Sequence, residues 1–244
     1  MTARFLKKST SSYIIFYGAS LMYYIGRIFI MKRNRKMLCL SLCLLVAFVM
    51  WTLLVRFIDV RGIGPRGSSV GFATLNQFVH NATGTNMALY VITDWLGLVP
   101  IATALGFAAL GLCQWAGRRS ILKVDRSIIA LGVFYIAVMS AYVFFEYAVI
   151  NYRPVLIEGI LEASYPSSTT MLVMCVMPTT AMQLNNCIKN KTVRRCIISV
   201  IVIFTLFMVF ARLVSGVHWL SDIVGGALLS FGLTEMYRFV RGLK

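Results

Sequence analysis

Apolar residues in this chain fall into long unbroken runs, and polar residues gather in short clusters between them. Uncharged stretches cover 37–55, 95–117, 127–145, 163–188 and 196–211, and a sixth, Trp219 to Tyr237, is interrupted only by Asp222 and Glu235 near its ends. Each reaches or approaches the roughly 20 residues a helix needs to cross a bilayer core. Backbone in lipid has to satisfy its own hydrogen bonds, so the pattern predicts an all-α membrane protein with a bundle of six transmembrane helices. A further apolar stretch, "SYIIFYGASLMYYIGRIFI" (12–30), is long enough to span. Spanning there would export Arg4, Lys7 and Lys8 or invert every later loop, so it is expected to lie along the inner interface, a depth its four tyrosines favour. A seventh span is the competing arrangement. The predicted organisation is an N-terminal cytoplasmic or interfacial segment, 1–36, followed by a six-span domain over 37–244.

Composition agrees with this picture. Of 244 residues 59% are hydrophobic and 13% charged, and the mean hydropathy of +0.80 is outside the range of soluble domains. The net charge of +16 does not mark a nucleic-acid-binding face, because the basic residues are split into clusters between apolar runs. With the first span running outward, only Arg56, Arg61, Arg66, Arg153 and Arg212 of the 24 Lys and Arg fall outside, which predicts cytoplasmic termini. The six cysteines sit in spans or at their inner ends, so no disulfide framework is expected, and Cys39 with Cys43 reads as a lipid-facing pair. The outer segment 61–86 ends in an amphipathic stretch with Phe72, Leu75, Phe78 and Val79 on one side, read as lying on the outer interface with His80 as an interfacial polar residue. "NAT" at 81–83 matches a glycosylation acceptor, and Pro100 and Pro178 are expected to kink their spans.

The same charge counting brings three separated polar stretches to one side of the membrane: "YAVINYRPV", "EASYPSSTT" and "ARLVSGVHWLSD". Ionisable groups in such segments mark functional sites by default. His218 and Asp222 are one helical turn apart, so Asp222 is expected to accept a hydrogen bond from one ring nitrogen and leave the other facing a cavity. Arg212 offers a permanent charge suited to phosphate oxygens, whereas Arg153 ahead of Pro154 reads by itself as an outer arginine that snorkels to water. Pro166, Ser167 and Ser168 read as a helix start, which in isolation is simple capping and alternatively an anion site built from its free N–H groups. A purely structural His–Asp–Arg network tying two helix ends is the bland alternative.

Together these stretches resemble the three-part signature of the type 2 phosphatidic acid phosphatase superfamily, over roughly residues 57–240. That pattern is a Lys seven residues before Arg-Pro, then Pro-Ser-Gly-His, then Ser-Arg with His six and Asp ten residues beyond the Arg. Its third part is nearly complete here as Arg212, His218 and Asp222, with Ala211 in place of the Ser. The resemblance implies a six-span bundle in the cell membrane with its site near the outer leaflet. His218 would attack phosphorus and carry a transient phosphohistidine, Asp222 would orient it, and Arg153, Arg212, Ser167 and Ser168 would hold the phosphate. It implies a membrane lipid phosphate or diphosphate as partner, with no metal or other cofactor.

Two positions depart from the pattern. Glu146 replaces the Lys and Thr169 replaces the second-motif His. Glu146 is expected two turns from Arg153 on one helical face, pairing with an arginine or remaining protonated as a replacement acid. Thr169 is a poor general acid. Losing that acid favours a substrate with a good leaving group, such as a polyprenyl diphosphate of the undecaprenyl type, over phosphatidic acid. The rival reading is a chain that binds or transfers lipid phosphates without turnover. An ion pathway accounts less well for the two arginines.

Overall fold

The structure, a computed structural model, describes residues 33–242, so the helix predicted over 12–30 lies outside the described residues. Eight helices follow in order: α1 (Arg33–Phe57), α2 (Ala73–Thr83), α3 (Met87–Leu96), α4 (Leu98–Arg118), α5 (Arg126–Tyr147), α6 (Ser168–Cys187), α7 (Lys191–Val214) and α8 (Leu220–Gly242). Extended pairing among the described residues is limited to isolated bridges in loops.

Among the described residues, five segments are long and apolar enough to cross a membrane: α1, α5, α7, α8 and the joined pair α3–α4, Met87–Arg118. The second span therefore begins well before the predicted residue 95. "MALYVITDWL" is apolar apart from Asp94, and the Asn86 side chain caps its start by accepting from the Leu89 N–H at 2.9 Å. Gly97 joins α3 to α4 with helical dihedrals, and Pro100 lies in the first turn of α4, where a missing N–H is tolerated. The interruption expected at Pro100 is thus at Gly97, whereas Pro178 sits within α6.

The remaining predicted segment, α6, is 20 residues long but more polar than the others. Packing explains why this is tolerated. α6 lies at the centre, against α4, α5, α7 and α8, and Met171, Val173, Cys175 and Val176 are each at most 2% exposed. Its hydroxyls turn back on its own backbone, as Thr179 does to Cys175 O and Thr180 to Val176 O at 2.8 Å each. Gln183 reaches the Tyr237 hydroxyl at 2.7 Å and Ser127 O at 3.1 Å. The outer helices show the reverse pattern, with Val46, Leu105, Ile136, Phe144, Val200 and Phe210 exposed, as expected where the surroundings are hydrocarbon.

Close contact of α8 with its neighbours depends on glycine. A Cβ on Gly225 would lie 2.5 Å from the Tyr165 ring, and one on Gly232 would lie 2.8 Å from Leu45 of α1. Small residues let membrane helices approach to backbone distance, and here they seat the start of α8 against the segment leading into α6. At one end of the bundle Asn34 donates to Gly242 O at 2.9 Å, tying the start of α1 to the end of α8. The loops 58–72, 148–167 and 215–219 gather at the other end, where Asn86 N donates to Ser215 O, Gly71 N to the Asn151 side chain and Trp219 Nε1 to Tyr152 O.

Candidate active site

α5 ends at Tyr147, and Arg153 belongs to the loop that follows. The loop doubles back on itself. Tyr152 bridges to Ala163 and Ile157 to Ile160, with Glu158 and Gly159 at positive φ forming the tip. Arg153 N donates to Glu162 O at 3.1 Å and Ser164 N to Asn151 O at 3.0 Å. This pairing places Arg153 Nε 2.9 Å from Glu162 Oε2, an ion pair in which the N–H does not point along the contact. The partner of Arg153 is therefore Glu162 rather than Glu146, and the shared helical face expected for Glu146 and Arg153 does not exist.

A cavity of about 200 Å³ opens at this end, lined among others by Tyr142, Glu146, Arg153, Glu162, Ser168 and His218. His218 is only 3% exposed. Its Nδ1 is 3.1 Å from Ser164 O, and a carbonyl can only accept, so Nδ1 carries the proton and Nε2 keeps its lone pair. Arg153 Nη1 stands 3.4 Å from that Nε2. Burial first, then the nearby Arg153 and Arg212 charges, hold the His218 pKa well below its ordinary 6.5, against the opposing bond to Ser164. The imidazole is neutral, as an attacking base must be.

The expected hydrogen bond from His218 to Asp222 is replaced by a 3.9 Å separation. α8 begins at Leu220, so His218 precedes the helix and the one-turn register does not apply. Asp222 is instead the third residue of α8. Its Oδ2 accepts the Trp219 N–H at 2.9 Å, the reciprocal half of a capping box, and also a short bond from Ser164 Oγ. Its Oδ1 accepts from Asn151 Nδ2 at 3.1 Å and Ser221 Oγ at 3.4 Å. Asp222 thus reaches His218 through Ser164: the carboxylate holds the residue whose carbonyl holds the ring.

The other predicted phosphate ligands divide. Arg153 and Ser168 line the cavity, while Arg212 and Ser167 do not. Arg212 is 2% exposed and is held by α3, with Nη1 donating to Thr93 Oγ1 at 3.1 Å, Nη2 3.7 Å from Asp94 and the guanidinium over the Tyr90 ring at 4.7 Å. Ser167 caps α6 loosely through Thr170 N at 3.5 Å, and its own N–H is taken by Asp222 O at 3.1 Å. Glu146 lines the cavity and makes no ion pair among the described residues, and Thr169 is not part of the lining. His80 packs against Trp219 with the rings tilted by 59° and their centroids 5.4 Å apart, outside the cavity.

Sequence reasoning missed Asn151, Glu162 and Ser164. Asn151 and Ser164 lie inside the quoted polar stretches, and their only signal was polarity among apolar neighbours. Glu162 becomes a partner of Arg153 only through the loop pairing, which no periodicity reports.

Fold and site define a class: a membrane-embedded helical bundle whose polar loops bury a neutral histidine beside an arginine at one end. The profile of the PAP2 superfamily matches residues 101–242, and the chain belongs to that superfamily. The crystal structure of a transmembrane PAP2 type phosphatidylglycerolphosphate phosphatase from Bacillus subtilis is similar in fold, with a TM-score of 0.58 at 16% identity, covering 84% of this chain and 97% of its own. No curated protein matches the sequence.

Proposed function

We propose that this protein is an integral membrane phosphatase that hydrolyses a lipid phosphate, with a preference for polyprenyl diphosphates, through a phosphohistidine on His218. The observation that carries the reading is the tautomer of His218: proton on Nδ1 against Ser164 O, lone pair on Nε2, and Arg153 beside it in the cavity. In the proposed reaction the phosphoryl oxygens draw the Arg153 guanidinium away from Nε2 and neutralise it. Nε2 attacks phosphorus, the bond to the leaving oxygen breaks, and its electron pair stays with that oxygen. Water then attacks the phosphohistidine, the P–N bond breaks with its pair returning to Nε2, and inorganic phosphate leaves while the surplus water proton passes to solvent.

No histidine lines the cavity beside His218, so a departing alkoxide lacks the family's proton donor. A diphosphate releases a phosphate monoester that needs no such proton. Orientation supports a substrate in the outer leaflet: the basic ends of α1, α4, α7 and α8 favour the cytoplasm, and both termini with them.

The second reading, binding or transfer without turnover, draws on the two carboxylates in the cavity, one of them already on Arg153. One experiment separates the two: phosphate release by the purified full chain from undecaprenyl diphosphate and from phosphatidic acid, with His218→Ala alongside. The phosphatase reading expects the diphosphate to turn over faster by about tenfold or more, and the variant to lose essentially all activity. Equal rates on both lipids would remove the substrate preference. Binding of both lipids without release would establish the second reading.

A further inference from the structure

A second cavity, larger than the first at about 620 Å³, lies between α6, α7 and α8 and runs from the middle of the bundle to the end away from His218. Its wall is apolar, built from residues such as Met174, Ala181, Ile201 and Val202, and it ends at Arg238 and Arg241. Its lining runs from Met174 to Asn185 along α6 and from Ile198 to Val209 along α7. Eleven residues of helix rise roughly 16 Å, close to half of a hydrocarbon core about 30 Å thick. A groove one leaflet deep, apolar along its length and cationic at its membrane-surface end, matches one molecular shape.

We propose that this groove seats an anionic phospholipid of the leaflet opposite the active site, with an acyl chain between α6 and α7 and the headgroup phosphate on Arg238 and Arg241. Glu235 occupies Nη1 of Arg238 at 2.6 Å, which fixes that guanidinium at the mouth without cancelling Arg241. The apolar segment 12–30 of this same chain is the obvious competitor. Residues 1–36 contain Lys and Arg but no Asp or Glu, so the competitor would bring further positive charge to two arginines, whereas an anionic headgroup complements them. The groove also touches two helices whose other ends build the site, α6 at Ser168 and α8 at Asp222, and α7 between them. A lipid filling it braces those three helices against one another.

The test uses the full chain purified in detergent, with a photoreactive residue at Val202, and adds phosphatidylglycerol or phosphatidylcholine. Phosphatidylglycerol is a phosphodiester, so it is not consumed as a phosphate monoester would be, and the readout is occupancy rather than turnover. Crosslinking is expected with phosphatidylglycerol and is expected to fall by about tenfold in the Arg238→Gln/Arg241→Gln double variant, the order of effect of two arginines facing anionic lipid. A rise in the unfolding temperature with phosphatidylglycerol, absent in the double variant, is the companion result. Equal crosslinking to phosphatidylcholine, no loss in the double variant, or crosslinks to residues 12–30 or to a second copy would each overturn the assignment.

Discussion

His218 is held by a backbone carbonyl, and the carboxylate four residues later acts at one remove. Asp222 is fully buried and accepts from Trp219, Ser164, Asn151 and Ser221, so its removal strands several buried donors at once. Each stranded donor costs about 1–3 kcal/mol. Asp222→Ala is therefore expected to lower the unfolding temperature and the turnover rate together, and Ser164→Ala, which keeps the carbonyl but frees it from the carboxylate, to lower both by less. Thermal melts beside rates for the two variants check this; Asp222→Ala with an unchanged melt and lost turnover would assign the carboxylate a purely chemical role.

The depressed pKa of His218 has a consequence for folding as well. Below about 6.5 the unfolded chain takes up a proton that the buried ring does not, so stability is present above that pH and is lost as the pH falls toward the lower folded value. Wild type is expected to lose more stability than His218→Gln between neutral pH and about pH 5.5, measured by chemical unfolding at each pH. At this scale His218, Arg153 and Ser168 were legible from spacing and residue type. The exchange of Asp222 for Ser164 O was not, because it depends on where α8 begins, and the Arg153–Glu162 pair depends on a loop folding back.

Among the elements, α6 and α8 decide whether the site assembles. Gly225 lets α8 approach the Tyr165 ring, which is 2% exposed and hydrogen-bonded to Thr52 Oγ1 at 2.7 Å, so the ring has little room to retreat. Gly225→Ala is expected to destabilise by about 1–3 kcal/mol, as overpacking does. Gly106→Ala meets nothing within 4 Å and is expected to be neutral or slightly stabilising, since alanine is the better helix former. Melting curves of the two variants make the comparison. The apolar runs revealed most spans, since lipid imposes length and composition directly. They misplaced the start of the second span, at Met87 rather than 95, because a single polar residue, Asp94, lies inside α3.

For the whole molecule, charge counting placed three distant polar stretches on one side, and the fold brings them together through Ser164–Asn151, Ser167–Asp222 and Trp219–Tyr152 hydrogen bonds. What the count could not contain was the division of labour among them. Arg212, taken from spacing as a phosphate ligand, closes the bundle against α3, and Arg153 alone of the two arginines lines the cavity. The cavity in turn holds Glu162, which no motif position announced, beside the Glu146 that the first departure from the pattern had marked. The arrangement has a single chemical purpose in this account, to present the Nε2 lone pair of His218 to phosphorus. Mass spectrometry of the protein quenched in alkali during turnover of undecaprenyl diphosphate tests this most directly: phosphate is predicted on His218 in wild type and nowhere in His218→Ala, and sustained turnover with His218 unmodified throughout would contradict it.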